Sequence, residues 1–204
     1  VEKFGLDQTR YFLMREVPFG RDGDFSEAAM ITRTNSDLAN DLGNLSQRTL
    51  SLIVKNCEGV MPALPATLCD DDRALLVAGD GLLEQVRVQF DQQAFHEGLR
   101  LIWQVIGAAN RYIDTQAPWA LKKTNIQRME EVLAVLVETI RQITILVQPI
   151  MPHSAKKLLD QLMIPEEHRD FSFIGGKFRN SAGISITKPQ GIFPRFQDAG
   201  GEGA

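Results

Sequence analysis

The sequence predicts an all-α protein, an antiparallel helical bundle with short extended pieces at its C-terminal end. Three observations carry that expectation. Apolar residues recur at steps of three and four over nearly every segment, which keeps them on one face of a 3.6-residue helix. Pro118, Pro149 and Pro152 fall between such segments, where the missing N–H breaks a helix or suits its first turn. The connections that remain are a few residues long, so successive helices must turn back on one another.

Asp7 to Glu16, with Tyr11, Phe12 and Met14 inside it, reads as a short helix. The loop Phe19 to Ser26 leads into the first long helix, with Ser26 or Asp24 as its cap. That helix runs from about Ser26 to Asn56, and Ile31, Leu38, Leu42, Leu45 and Leu52 form its stripe. The next runs from about Asp70 to Phe90, opening on three aspartates that suit the positive end of the helix dipole. Phe95, Leu99, Ile102, Ile106, Ala109 and Ile113 stripe a third long helix. Ile126, Met129, Leu133, Leu136, Ile140, Ile143 and Val147 stripe a fourth, and a short helix from Pro152 to Leu162 follows. Ile184 to Thr187 and Gly191 to Phe193 then read as extended pieces, and Gln197 to Ala204 as a small-residue tail without a core signal.

The 204 residues are 44% apolar and 24% charged, the balance of a soluble globular chain rather than a disordered one. No run of uncharged apolar residues is long enough to span a membrane, and the first twenty residues lack the pattern of a signal peptide. The chain starts on Val1, as a piece of a longer protein or a product of tag removal does. Cys57 and Cys69 read as free thiols, and His96, His153 and His168 are scattered, so no metal is expected. Net charge is −4, but it is unevenly placed. Asp70 to Asp91 holds six acids against Arg73 and Arg87; Arg100 to Arg128 holds five basic residues against Asp114. A polarised domain can turn its basic side to phosphate; two solvated helix faces explain the same runs.

No Gly-rich phosphate loop, nucleophile elbow or histidine pair on a helix is present, so catalytic machinery is not evident. The first long helix is more informative. At 100° per residue, Arg33, Asp37, Asn40, Asn44, Arg48, Ser51 and Lys55 share one polar flank. Asn44 and Arg48, at i and i+4, point the same way. An amide beside a guanidinium can read the edge of an unstacked base and stack on its face; a solvated flank with a bystander arginine fits the same residues. Trp103, beside Ile102, reads as core. Trp119 follows Ala117-Pro118 at a helix start, where an indole can serve as a stacking platform or simply close the end of the bundle.

At these residues the chain resembles the methionyl-tRNA synthetases. Asn44-Leu45-Ser46-Gln47-Arg48 is similar to that family's Asn-Leu-x-x-Arg element. Asn110-Arg111-Tyr112-Ile113-Asp114 through Gln116-Ala117-Pro118-Trp119 is similar to the element ending in its exposed tryptophan. Phe4 to Leu13 and the loop Gly20 to Ser26 look like the stretch after the family's ATP-site signature loop, and Gly191 to Phe196 like the point where short members end. The resemblance runs from about Val1 to Phe196 in the expected order.

The resemblance implies the anticodon-binding domain of a class I aminoacyl-tRNA synthetase. Its partner would be the anticodon loop of tRNA(Met), with Asn44, Arg48 and Trp119 contacting the CAU triplet and Trp119 stacking on its first base. Lys122 and Lys123 are candidates for phosphate contact. It implies no catalytic residue and no cofactor in this stretch, ATP belonging to a nucleotide-binding fold that would precede Val1. It divides the chain into a connector (1–25), the bundle (26–163), a C-terminal extension packed on either (164–196) and a flexible tail (197–204). It further implies a monomer in the cytoplasm or an organellar matrix. Leucyl-, isoleucyl-, valyl- and cysteinyl-tRNA synthetases share this kind of bundle, and the pairing of Asn44 and Arg48 with Pro118-Trp119 favours methionine. A helical protein-interaction scaffold is the reading from another class; a complete small enzyme lacks a visible active site.

Overall fold

The computed structural model describes residues 1–18, 20, 25–179 and 182–197. Asp24, one of the two candidate caps, and tail residues 198–204 lie outside the described residues. The fold is helical: α1 (Leu6–Glu16), α2 (Glu27–Arg33), a π-helical stretch (Thr34–Gly43), α3 (Asn44–Asn56), α4 (Asp70–Asp80), α5 (Leu82–Asp91), α6 (Phe95–Gln116), α7 (Pro118–Leu121), α8 (Ile126–Val147) and α9 (Pro152–Gln161). Ser26 caps α2 by accepting the Ala29 N–H.

The front of the chain is tied into the bundle at several points. Tyr11 and Phe12 are fully buried. Arg10 donates to the carbonyls of Ile150 (2.8 Å) and Pro149 (2.7 Å), two groups left unpaired where α8 ends. Asp7 accepts the Ser154 N–H at 2.6 Å, placing a carboxylate at the first turn of α9.

The helix expected from Ser26 to Asn56 is present, but its middle ten residues are π-wound. The Asn44 N–H reaches back five residues to the Ala39 carbonyl. Side chains of α6 engage this stretch: the Trp103 indole donates to the Asp37 carbonyl (3.2 Å) and Asn110 to that of Asp41 (3.4 Å). Such partners come from distant sequence, so a regular periodicity conceals the widened turns. A β-carbon on Gly43 would lie 2.8 Å from the Leu38 carbonyl oxygen and 3.3 Å from the Phe193 ring. Glycine is what lets the widened turn and the C-terminal segment meet there.

The helix expected from Asp70 to Phe90 is two helices. Gly81 (φ −86°, ψ −4°) ends α4 and starts α5. Gly79, two residues before, lets Gln142 of α8 approach: a β-carbon there would meet its Oε1 at 3.3 Å. The break therefore coincides with a polar side chain crossing from the central helix.

That central helix is α8, and it departs most from its single expected stripe. Every residue from Val132 to Val147 is buried, whereas Ile126, placed on the stripe, is 59% exposed. A helix surrounded by neighbours on all sides must pair whatever polar groups it carries. Arg141 donates to Glu138 (2.7 and 3.0 Å) and to the carbonyls of Phe173 (2.7 Å) and Phe178 (2.6 Å). Gln142 donates to Glu138 (2.8 Å) and Asp80 (2.9 Å), and Arg179 holds Asp80 through two bonds of 2.7 Å. The segment after α9 is fastened to the core by this cluster rather than by regular structure.

The extended pieces expected near the C-terminus amount, among the described residues, to one antiparallel bridge between Val60 and Ser185. Met61 donates to the Ile184 carbonyl and Ile186 to that of Gly59. Farther on, Asn35 and the Phe196 backbone exchange two hydrogen bonds (2.7 and 2.9 Å), and Phe196 packs edge-on against Phe4.

Candidate nucleic-acid interface

Asn44 and Arg48 stand on the first two turns of α3, Asn44 exposed and Arg48 half-buried. From α6 comes Asp114, whose carboxylate accepts from Arg48 Nη2 at 2.7 Å. From α7 comes Trp119, 42% exposed, with the Arg48 guanidinium carbon 5.3 Å from its ring centroid. The structure thus joins Arg48 to Trp119 directly, across 71 residues of sequence. Asn44 sits one turn back along the same helix, lining a recess of about 290 Å³ between Gly43, Gln47 and the Ile192–Phe193 segment. Arg48 stands between the two.

The indole's placement has a local cause. Ala117 adopts the left-handed conformation (φ 44°, ψ 59°) and Pro118 fixes the first residue of a four-residue helix, turning the chain sharply between α6 and α8. Trp119 then faces outward while Pro118 is buried. Trp103, by contrast, is core, as the sequence implied. Lys122 is half-buried and Lys123 exposed just past Trp119; neither makes an ion pair among the described residues.

Asp114 was visible in the sequence only as the lone acid in a basic run. Its role in holding Arg48 depends on α3 and α6 lying side by side. Guanidinium has five donors, so one bond to Asp114 fixes its direction and leaves N–H groups for a ligand. Cation–π contact with the indole restrains it further.

The charge runs also resolve differently from their sums. Arg128, counted with the basic run, is spent on Asp72, counted with the acidic one: Arg128 Nη1 and Nη2 each donate to that carboxylate at 2.7 Å. Asp72 is wholly buried. The Tyr112 hydroxyl donates to it as well, at 2.6 Å. Burial raises the Asp72 pKa, but side-chain bonds from Arg128, Tyr112 and Cys69 outweigh burial and hold it down at about 2. Burial and the same carboxylate push the Tyr112 hydroxyl well above its ordinary range.

A carboxyl whose folded pKa is depressed contributes stability above its unfolded value, near ~3.9, and loses it as pH falls towards the folded one. Between about pH 5 and pH 2 the native chain should lose on the order of 2 kcal/mol that Asp72→Asn does not lose. Urea midpoints measured against pH for both proteins check this; parallel curves would refute it.

Cys57 is half-buried and Cys69 exposed, both free, and burial raises the Cys57 thiol to about 11. Among the described residues, no group of three His, Cys, Asp or Glu side chains stands close enough to hold a metal, and no helix is long and apolar enough to cross a membrane.

Residues 59–203 match the family model of the anticodon binding domain of methionyl tRNA ligase, and residues 1–50 match that of class I tRNA synthetases (M). The methionine–tRNA ligase of Brucella suis biovar 1 is 50% identical over 199 residues, 98% of this chain and 38% of the relative. That of Mycobacterium leprae is 47% identical over 208 residues, 100% of this chain and 38% of the relative. The free-state Mycobacterium tuberculosis methionyl-tRNA synthetase superposes with a TM-score of 0.92 at 48% identity, over 96% of this chain and 40% of that one. The chain thus spans about two-fifths of the length of these relatives.

Proposed function

The chain belongs to the methionyl-tRNA ligase family, matched through its anticodon-binding domain, and from that premise we propose that it binds tRNA(Met) by reading the CAU anticodon. The observation that carries the reading is Arg48, held by Asp114, lying against the half-exposed Trp119 with Asn44 one turn away. An indole offers a stacking face to any base, whereas guanidinium and amide groups discriminate base edges. Trp119 takes the first anticodon base, and Arg48 and Asn44 read the edges presented beside it. Lys122 and Lys123 meet phosphate. On this reading the whole enzyme attaches methionine to tRNA at the expense of ATP, and this chain, about two-fifths of its relatives' length, supplies the tRNA-binding part.

Titration with an anticodon stem-loop carrying CAU, against loops carrying other triplets, tests the reading directly. Tighter binding of CAU supports it, and equal binding of all loops sinks it. Lys122→Ala and Lys123→Ala should weaken every loop alike and lower the salt dependence by up to about one counterion each. Phosphate contacts hold the RNA without reporting its sequence. A change in triplet preference on replacing either lysine would contradict that assignment.

A further inference from the structure

We propose that Arg128 is a positioning residue for Trp119, acting through a clasp on Gln116 that fixes the joint between α6 and α7. The inference rests on the anticodon reading for its consequence in binding, though not for the geometry. Trp119 stands on a helix of four residues, too short to hold its own direction. Buried Pro118 and the packing of Leu121 on the core seat that helix, and the two ends of the segment Ala117 to Asn125 fix how it is turned. At the first end, Ala117 is left-handed, a conformation that a residue with a β-carbon keeps only where its surroundings hold it. At the second, Asn125 caps α8 by accepting the Arg128 N–H at 3.0 Å.

Arg128 joins those two ends. From the first turn of α8 its Nη2 donates to Gln116 Oε1 at 2.9 Å, on the last residue of α6 and immediately before Ala117. The amide of Gln116 donates in turn to Asp71 at 2.9 Å. Both Arg128 nitrogens hold Asp72, which also accepts from Tyr112, one turn before Gln116 on α6. The end of α6 and the starts of α4 and α8 are thereby pinned to a single guanidinium. The loop that carries Trp119, Lys122 and Lys123 is closed like a buckle. Only a planar fork reaches two carboxylate oxygens and an amide together; an ammonium keeps the charge and loses the fork. Arg128 makes no hydrogen bond, ion pair or ring contact with Arg48 or Trp119, and it acts on the indole through the backbone.

Because Arg128→Ala would strand the buried Asp72 and risk unfolding, the test uses Gln116→Ala and Arg128→Lys. Each is combined with and without Trp119→Ala and checked for folding by circular dichroism. Gln116→Ala and Arg128→Lys should each weaken CAU stem-loop binding by about threefold to tenfold, and should have no further effect once Trp119 is alanine. Wild-type affinity in the folded variants, or equal weakening in both backgrounds, overturns the proposal. A second readout is independent of RNA. The emission of Trp119, taken as the difference between spectra with and without that residue, should shift and become more accessible to acrylamide in both variants. If Trp119→Ala leaves binding unchanged, the anticodon reading fails and this fluorescence alone decides. An unmoved Trp119 spectrum then refutes the clasp.

Discussion

Glu138→Ala is expected to lower the unfolding free energy by about 3–5 kcal/mol, because it strands a buried cation. Glu138 is wholly buried and Arg141 is 4% exposed, and the carboxylate holds Arg141 through two bonds. Without it, Arg141 keeps only the Phe173 and Phe178 carbonyls, neutral groups that do not balance a charge in the core. Gln142 and Arg179 each lose an acceptor too, although both retain Asp80. Glu138→Gln, which preserves an acceptor, should cost less. Breaking the exposed pair of Arg87 and Glu84 should change stability by no more than about 0.5 kcal/mol. Urea unfolding followed by circular dichroism compares the three. A Glu138→Ala cost as small as that of the exposed pair would mean that the cluster does not fasten the 164–179 segment.

Trp119→Ala should weaken binding of a CAU stem-loop by about 1–3 kcal/mol, the worth of one base stacked on an aromatic ring. Trp119→Phe should recover part of that loss, since a smaller ring still offers a face. The indole is 42% exposed, and removing it opens no core cavity. Thermal unfolding of the alanine variant should therefore stay near that of the parent. Affinity lost together with stability would instead assign Trp119 to closing the end of the bundle, the bland alternative its sequence position allowed.

The sequence showed the helices best where one face is buried and the other wet. Of the stripe Phe95, Leu99, Ile102, Ile106, Ala109 and Ile113 of α6, all but the half-buried Phe95 are fully buried, and the short helices expected at Asp7 and Pro152 are observed as α1 and α9. Periodicity failed where a helix has no wet face. Along α8, Glu138, Arg141 and Gln142 lie off the expected stripe, yet they are pinned inside by Asp80 and the Phe173 and Phe178 carbonyls. It failed again where partners distant in sequence bend a local rule, as at the π-wound stretch against Trp103 and Asn110. Of the candidate site, residue types and spacing on one helix exposed Asn44 and Arg48, and the proline before it exposed Trp119. Asp114 and Arg128 stayed hidden because their charged partners, Arg48 and Asp72, lie 66 and 56 residues away.

The triplet preference of Arg48→Ala tests the central claim most directly. Arg48 bonds Asp114, lies against Trp119 and shares a helix flank with Asn44. The decisive quantity is the ratio of dissociation constants for a non-CAU and a CAU stem-loop, measured at several salt concentrations on folded protein. With Arg48 in place the ratio should stand well above unity. In Arg48→Ala it should fall towards unity while the salt dependence stays near that of the parent, because a base contact has been lost rather than a phosphate contact. A ratio unchanged from the parent would show that the triplet is read from some other face of the bundle.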